Sequence, residues 1–167
     1  MQGRLQEIAQ RLEGSGLRAR FDDSQKYHIT LAFLGLVDPS LVEPIRAAMQ
    51  AVAGRCKPFN LEIDKVGAFP DERRPRVVYA GSRHAPPEFR DLAEQLRSAY
   101  EALGFTFKDP AVAHVTLARI KEGRQPIPTI LDFPPIEIPI GALTLFDSMP
   151  DKTSTRYEQL HLSTLGL

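Results

Sequence analysis

Apolar positions recur at helical spacing in three stretches of this chain and follow strand patterns through much of the rest. Leu5, Ile8, Ala9 and Leu12 form one stripe over 2–13, which Gly14 and Gly16 end. Asp38-Pro39-Ser40 opens a second helix reaching about Val52, with Leu41, Ile45, Ala48, Met49 and Val52 inward. A third follows Pro86-Pro87 and runs to about Leu103. It turns Phe89, Leu92, Ala93, Leu96 and Tyr100 to one side and stops at Gly104. Strands are expected over 17–21, 26–34, 59–66, 77–80, 112–120, 136–146 and 157–165. Gly67-Ala68-Phe69-Pro70 should break the 59–66 strand, and 121–135 and 148–152 read as loops. Helices and strands mixed in this order predict an α+β fold in one domain over 1–167. Two similar lobes, with antiparallel sheets facing a shared cleft and helices outside, are the simplest packing.

Two of the expected strands carry the same words. Tyr27-His28-Ile29-Thr30-Leu31 and Ala113-His114-Val115-Thr116-Leu117 share the order His, apolar, Thr, Leu. Successive strand side chains point to opposite faces, so His28 shares a face with Thr30 and His114 with Thr116. The spacing of His28 from His114, about half the chain, suggests an internal duplication. A lone His-x-Thr occurs by chance, and a lone strand histidine is usually structural. Two matching copies shift the balance toward chemistry, and a core strand would more cheaply carry Val than an unbonded Thr. Imidazole titrates near pH 6.5, so a neutral ring can take a proton while a protonated one delivers another. Threonine hydroxyls can donate to phosphoryl oxygens as charge builds there. Two histidines without Asp or Glu at ligand spacing make a poor metal site, so no metal or other cofactor is expected.

Composition narrows the setting. The chain is 43% hydrophobic and 25% charged with a formal net charge of +0, so a polyanion must be held by a local patch. Cys56 is the only cysteine, which rules out an internal disulfide and fits a reducing cytoplasm. No apolar run approaches a membrane span, and Arg4, Glu7, Arg11 and Glu13 interrupt any secretory signal. His84 lacks a matching partner and is expected at the surface, and His161 is expected to be structural. Cys56 should be a buried or half-buried small residue. Arg73, Arg74 and Arg76 are either contacts to a polyanion's phosphates or a solvated loop.

These motifs resemble the RNA 2′,3′-cyclic phosphodiesterases, also called 2′-5′ RNA ligases, of the two-histidine (2H) phosphoesterase superfamily. His28-Ile29-Thr30-Leu31-Ala32-Phe33-Leu34-Gly35 is similar to the first family motif. Gly67-Ala68-Phe69-Pro70 with Arg74-Pro75-Arg76-Val77 is similar to the middle segment, and His114-Val115-Thr116-Leu117-Ala118-Arg119 to the second motif. The resemblance implies a bilobal fold with both motifs facing a central cleft. It also implies hydrolysis of 2′,3′-cyclic phosphate at an RNA end, or of a cyclic nucleotide, to a 2′-phosphate. By that similarity His114 is the general base and His28 the acid, with the reverse open. Thr30 and Thr116 would hold the non-bridging oxygens. Arg119 would reach the phosphate, although strict alternation turns it to the opposite face. Phe33 would border the terminal base as a stacking surface, although alternation alone places it in the core.

Two other tasks fit the same residues: joining a cyclic phosphate to a 5′-hydroxyl, and binding nucleotide or RNA without turnover. A monomer without membrane partners is the working expectation. Family members usually open with a strand before the first helix, whereas Met1 leads straight into that helix here. Either the chain start is placed late or this lobe has one strand fewer, and a missing strand would leave a sheet edge exposed.

Overall fold

The computed structural model describes residues 2–120, 126–128, 133–150 and 155–166. In chain order its elements are α1 (Gln2–Gly14), β1 (Ala19–Phe21), α2 (Val42–Ala53), β2 (Phe59–Ile63), β3 (Lys65–Phe69) and β4 (Val77–Gly81). There follow α3 (Pro87–Glu101), β5 (His114–Ile120), β6 (Ile136–Ile140), β7 (Ala142–Pro150) and β8 (Thr155–Thr164). The α+β class stands. The chain forms two compact units. One comprises Met1–Thr30, Leu61–Ala85 and Val112–Ile138, the other Leu31–Asn60, Pro86–Ala111 and Pro139–Leu167. The units are interleaved in sequence, and both copies of the His-x-Thr motif fall in the first.

In the first unit, β1, β5, β4 and β3 lie in that order in one antiparallel sheet. Helix α1 buries Leu5, Ile8, Ala9 and Leu12, as its stripe requires, and packs on β1 and β5. The sheet contributes Ala68, Val78, Ala80, Val115, Leu117 and Ala118 to the core, which leaves its other face for chemistry. In the second unit α2 packs on α3, and Ile45, Met49, Val52, Leu92, Leu96 and Tyr100 join Leu143 and Leu165 in a separate core. Strands β7 and β8 pair with each other, as do β2 and β6.

Several expectations need correction. The stretch 59–66 is two strands. The break falls at Asp64, whose Oδ1 accepts from the Arg83 N–H, while its own N–H donates to Gly81. Gly67 lies inside β3 rather than ending a strand, because it must admit a ring from β4. The stretch 136–146 is also two strands, divided at Gly141.

A further correction concerns 26–34, which forms no continuous strand. Ladder pairing along β1 ends at Phe21 opposite Ala118, and one isolated bridge then joins Ile29 to Val115. Between those pairs the first segment advances eight residues while β5 retreats three. The five extra residues are absorbed by a 3₁₀ turn at Ser24–Lys26, capped where Asp23 accepts from the Gln25 N–H. Most of the expected loop 121–135 lies outside the described residues; of the expected loop 148–152, residues 148–150 belong to β7 instead, and 151–152 lie outside the described residues.

Candidate active site

The Ile29–Val115 bridge determines how the two motifs meet. In an antiparallel pair, each step away from the bridge on one segment is matched by an opposite step on the other. His28 therefore stands opposite Thr116, and Thr30 opposite His114. Opposed residues share a face with Cβ atoms about 4.5–5.5 Å apart. The register thus puts the four motif residues on the face away from buried Val115. Both imidazoles and Thr116 are half-buried and Thr30 is exposed. Neither hydroxyl lies in the core, so the cost of a buried Thr does not account for the pair.

Each ring is oriented in the same way. His28 Nδ1 lies 2.7 Å from the Lys26 carbonyl oxygen, and His114 Nδ1 lies 2.9 Å from that of Val112. A carbonyl can only accept, so each Nδ1 carries the hydrogen and donates it two residues back along its own chain. Each Nε2 is then left for a reactant, as an acceptor in the neutral ring and a donor in the cation. Burial pushes the His114 pKa below its ordinary value. The bond to Val112 opposes that shift, and the charge on His28 adds to it. The two rings are therefore within electrostatic reach of each other.

Aromatic rings wall His114. Phe69 and Tyr79 stack with centroids 4.5 Å apart, and His114 meets them edge-on at 5.0 and 5.3 Å. Tyr79 pairs with both Gly67 and Thr116 across the sheet. Its ring covers two glycines. A Cβ at Gly67 would lie 2.6 Å from the Tyr79 Cζ and hydroxyl oxygen, and one at Gly81 would lie 2.9 Å from Tyr79 Cε2. Tyr79 carries no motif of its own, and Phe69 enters only within the Gly67-Ala68-Phe69-Pro70 segment. The available signal was a glycine within a strand pattern, which marks close approach of another group.

Gly67→Ala should therefore displace the Tyr79 ring and loosen His114. A cost of ~1–3 kcal/mol is expected from overpacking, or roughly 2–4 °C of melting temperature per kcal/mol for a chain of this size. Thermal denaturation read together with an NMR titration of His114 checks this. An unchanged melting point and an unchanged imidazole titration would contradict it.

Arg119 is on the site face after all. Thr116 pairs with Tyr79, Ala118 with Val78 and Arg119 with Val77, so Leu117 is the extra residue of a bulge. One inserted residue reverses the alternation beyond it. Leu117 and Ala118 both point into the core, and Arg119 rejoins the face of His114 and Thr116. Asp22 lies 3.9 Å from its Nε.

Phe33 is 73% exposed and belongs to the second unit, which removes the core reading. His84 is exposed, while His161 and Cys56 are half-buried. Arg73, Arg74 and Arg76 are exposed on the β3–β4 connection, where Asp71 accepts from the Arg73 and Arg74 backbone N–H groups. Among the described residues, no three His, Cys, Asp or Glu side chains are grouped to hold a metal ion. Nor is any described helix long and apolar enough to cross a membrane.

Known proteins share this arrangement of chain. A Geobacillus stearothermophilus protein named RNA 2′,3′-cyclic phosphodiesterase is 40% identical over 106 residues, covering 61% of this chain and 32% of that protein. The matched stretch thus spans about a third of that relative's length. A Thermotoga maritima protein of the same name is 27% identical over 158 residues, covering 93% of this chain and 84% of its own. The crystal structure of TT0787 from Thermus thermophilus superposes with a TM-score of 0.85 at 25% identity, covering 98% of this chain and 91% of that one. The family model described as LigT like Phosphoesterase matches residues 1–79 and 81–157. By that match the chain belongs to the LigT-like phosphoesterase family.

Proposed function

We propose that this protein hydrolyses RNA 2′,3′-cyclic phosphate ends to 2′-phosphates by acid-base catalysis between His28 and His114. The carrying observation is the antiparallel Ile29–Val115 bridge, whose register sets His28 against Thr116 and Thr30 against His114, with each Nδ1 bonded to a backbone carbonyl. The names of the relatives point the same way. One domain over 1–167, acting as a monomer in the cytoplasm, completes the reading.

The chemistry follows from the ring states. Burial favours neutral His114, which suits it to accept a proton from water at Nε2. The new bond joins the water oxygen to phosphorus, opposite the 3′-oxygen. The bond from phosphorus to that oxygen breaks, and protonated His28 delivers its Nε2 proton there. The Thr30 and Thr116 hydroxyls donate to the non-bridging oxygens, with Arg119 adding positive charge beside them. Exchange with solvent returns both rings to their starting states. Phe33, as an exposed ring, suits stacking on a base.

Incubation with a 2′,3′-cyclic nucleotide in the presence of EDTA tests the reading. A 2′-phosphate product is expected, and folded protein that forms none would sink it. Adding an RNA fragment with a 5′-hydroxyl separates hydrolysis from 2′-5′ joining, and binding without turnover would identify a non-catalytic module.

The pH profile tests the roles. The rate should be bell-shaped, needing one neutral and one protonated ring. With His114 as base and its pKa lowered, the acid limb of kcat/KM should lie below pH 6.5. With the roles reversed, the rate would already be falling at that pH. The same shift favours the native state as pH rises. Its contribution to stability is complete above 6.5 and is lost as pH falls through the lower folded-state value.

A further inference from the structure

The bulge at Leu117 has a consequence beyond Arg119. Strand β1 lies against β5 on the side away from β4, and its Arg20 pairs directly with Arg119. Opposed residues share a face, so Arg20 stands on the same face as the histidines and threonines. Like charges placed opposite each other across strands destabilise a sheet. Asp22 lies 3.9 Å from the Nε of the half-exposed Arg119 side chain, where such a pair contributes ~0–1 kcal/mol. A face that meets a polyanion gives the paired guanidinium groups a use.

The spacing indicates which anion. Arg119 pairs with Val77, two residues along β4 from Tyr79, the partner of Thr116. Two strand steps come to roughly 7 Å, and the neighbouring strand adds about 4.8 Å sideways. Arg119 therefore begins roughly 7 Å along its own strand from Thr116, within the length of its side chain, while Arg20 begins one strand further out.

Resting on the hydrolytic reading above, we propose that Arg20 binds the internucleotide phosphate on the 5′ side of the terminal nucleotide. Arg20 selects RNA chains over free cyclic nucleotides. Its guanidinium can donate two parallel hydrogen bonds to the phosphate oxygens, while Arg119 stays with the reacting group.

Two probes separate the contributions: a 2′,3′-cyclic nucleoside monophosphate, which has no 5′-phosphate, and a dinucleotide ending in the same cyclic phosphate. In Arg20→Gln the ratio of kcat/KM for the dinucleotide to that for the mononucleotide should fall about tenfold, through KM rather than kcat. The dependence of log KM on log salt for the dinucleotide should weaken by about 0.7, the single-strand value for one lost phosphate contact. Arg20→Lys should keep most of the salt slope. Exposed Arg90 lies on α3 in the second unit, and Arg90→Gln should leave the ratio unmoved. If the unaltered protein turns over both probes and Arg20→Gln leaves ratio and slope unchanged, the role of Arg20 is wrong and the hydrolytic reading survives. If the unaltered protein turns over neither probe, both fall.

Discussion

Replacing His114 with alanine is expected to slow cyclic-phosphate turnover by about 10²–10⁴-fold, and His28→Ala by a similar factor. The reason lies in how the rings are held. Each Nδ1 is engaged by its own chain, so Nε2 is the nitrogen left to move a proton. Alanine removes that nitrogen and leaves the backbone carbonyl of Lys26 or Val112 to bond water. Both rings are only half-buried, so folding should survive either change. The loss should fall on kcat, because neither ring is assigned the task of binding the ground state. The limbs of the pH profile provide a further check. Without His114 the acid limb should vanish, and without His28 the alkaline one. A variant that keeps both limbs would point to a base or acid elsewhere.

The second large effect is expected at the hydroxyls. Thr116→Val preserves shape and removes one donor aimed at the charge that develops on the phosphoryl oxygens. Loss of such a donor costs about 10²-fold in kcat. Thr116 lies between Tyr79 on β4 and the His28 position, so valine can take its place without moving the strand. Thr30→Val should behave alike, since it holds the equivalent place opposite His114. Thr116→Ser is the control, because it returns the hydroxyl and should recover most of the rate. Equal losses in the valine and serine variants would show that packing rather than hydrogen bonding is at stake.

The alternation of Ile29 and Val115 against their His and Thr neighbours was legible in the sequence, as were all three helices. Burial alone sets those patterns: one face of a strand or one stripe of a helix must leave water. Pairing was less legible, because it depends on where the chain stores extra residues. The run from Lys26 to Leu34 looks like a strand, but the Asp23-capped turn consumes five residues and leaves one bridge. Arg119 shows the same limit. A bulge has no composition of its own, and the only trace of this one is the adjacent apolar pair Leu117-Ala118, both of which are buried. In the sequence Gly67 reads as a strand breaker, since glycine stops strands as often as it serves them. Its role became clear only with the Tyr79 ring lying over it. Arg20 carries no motif and is found only through register.

The measurement that bears most directly on this account is kcat for the double variant His28→Ala/His114→Ala beside the two single variants. Two rings acting on one phosphate form a unit, so losing the second should cost little once the first is gone. The double variant should fall close to the worse single variant. Losses that multiply would mean that the rings act independently, and the shared site proposed for them would be wrong.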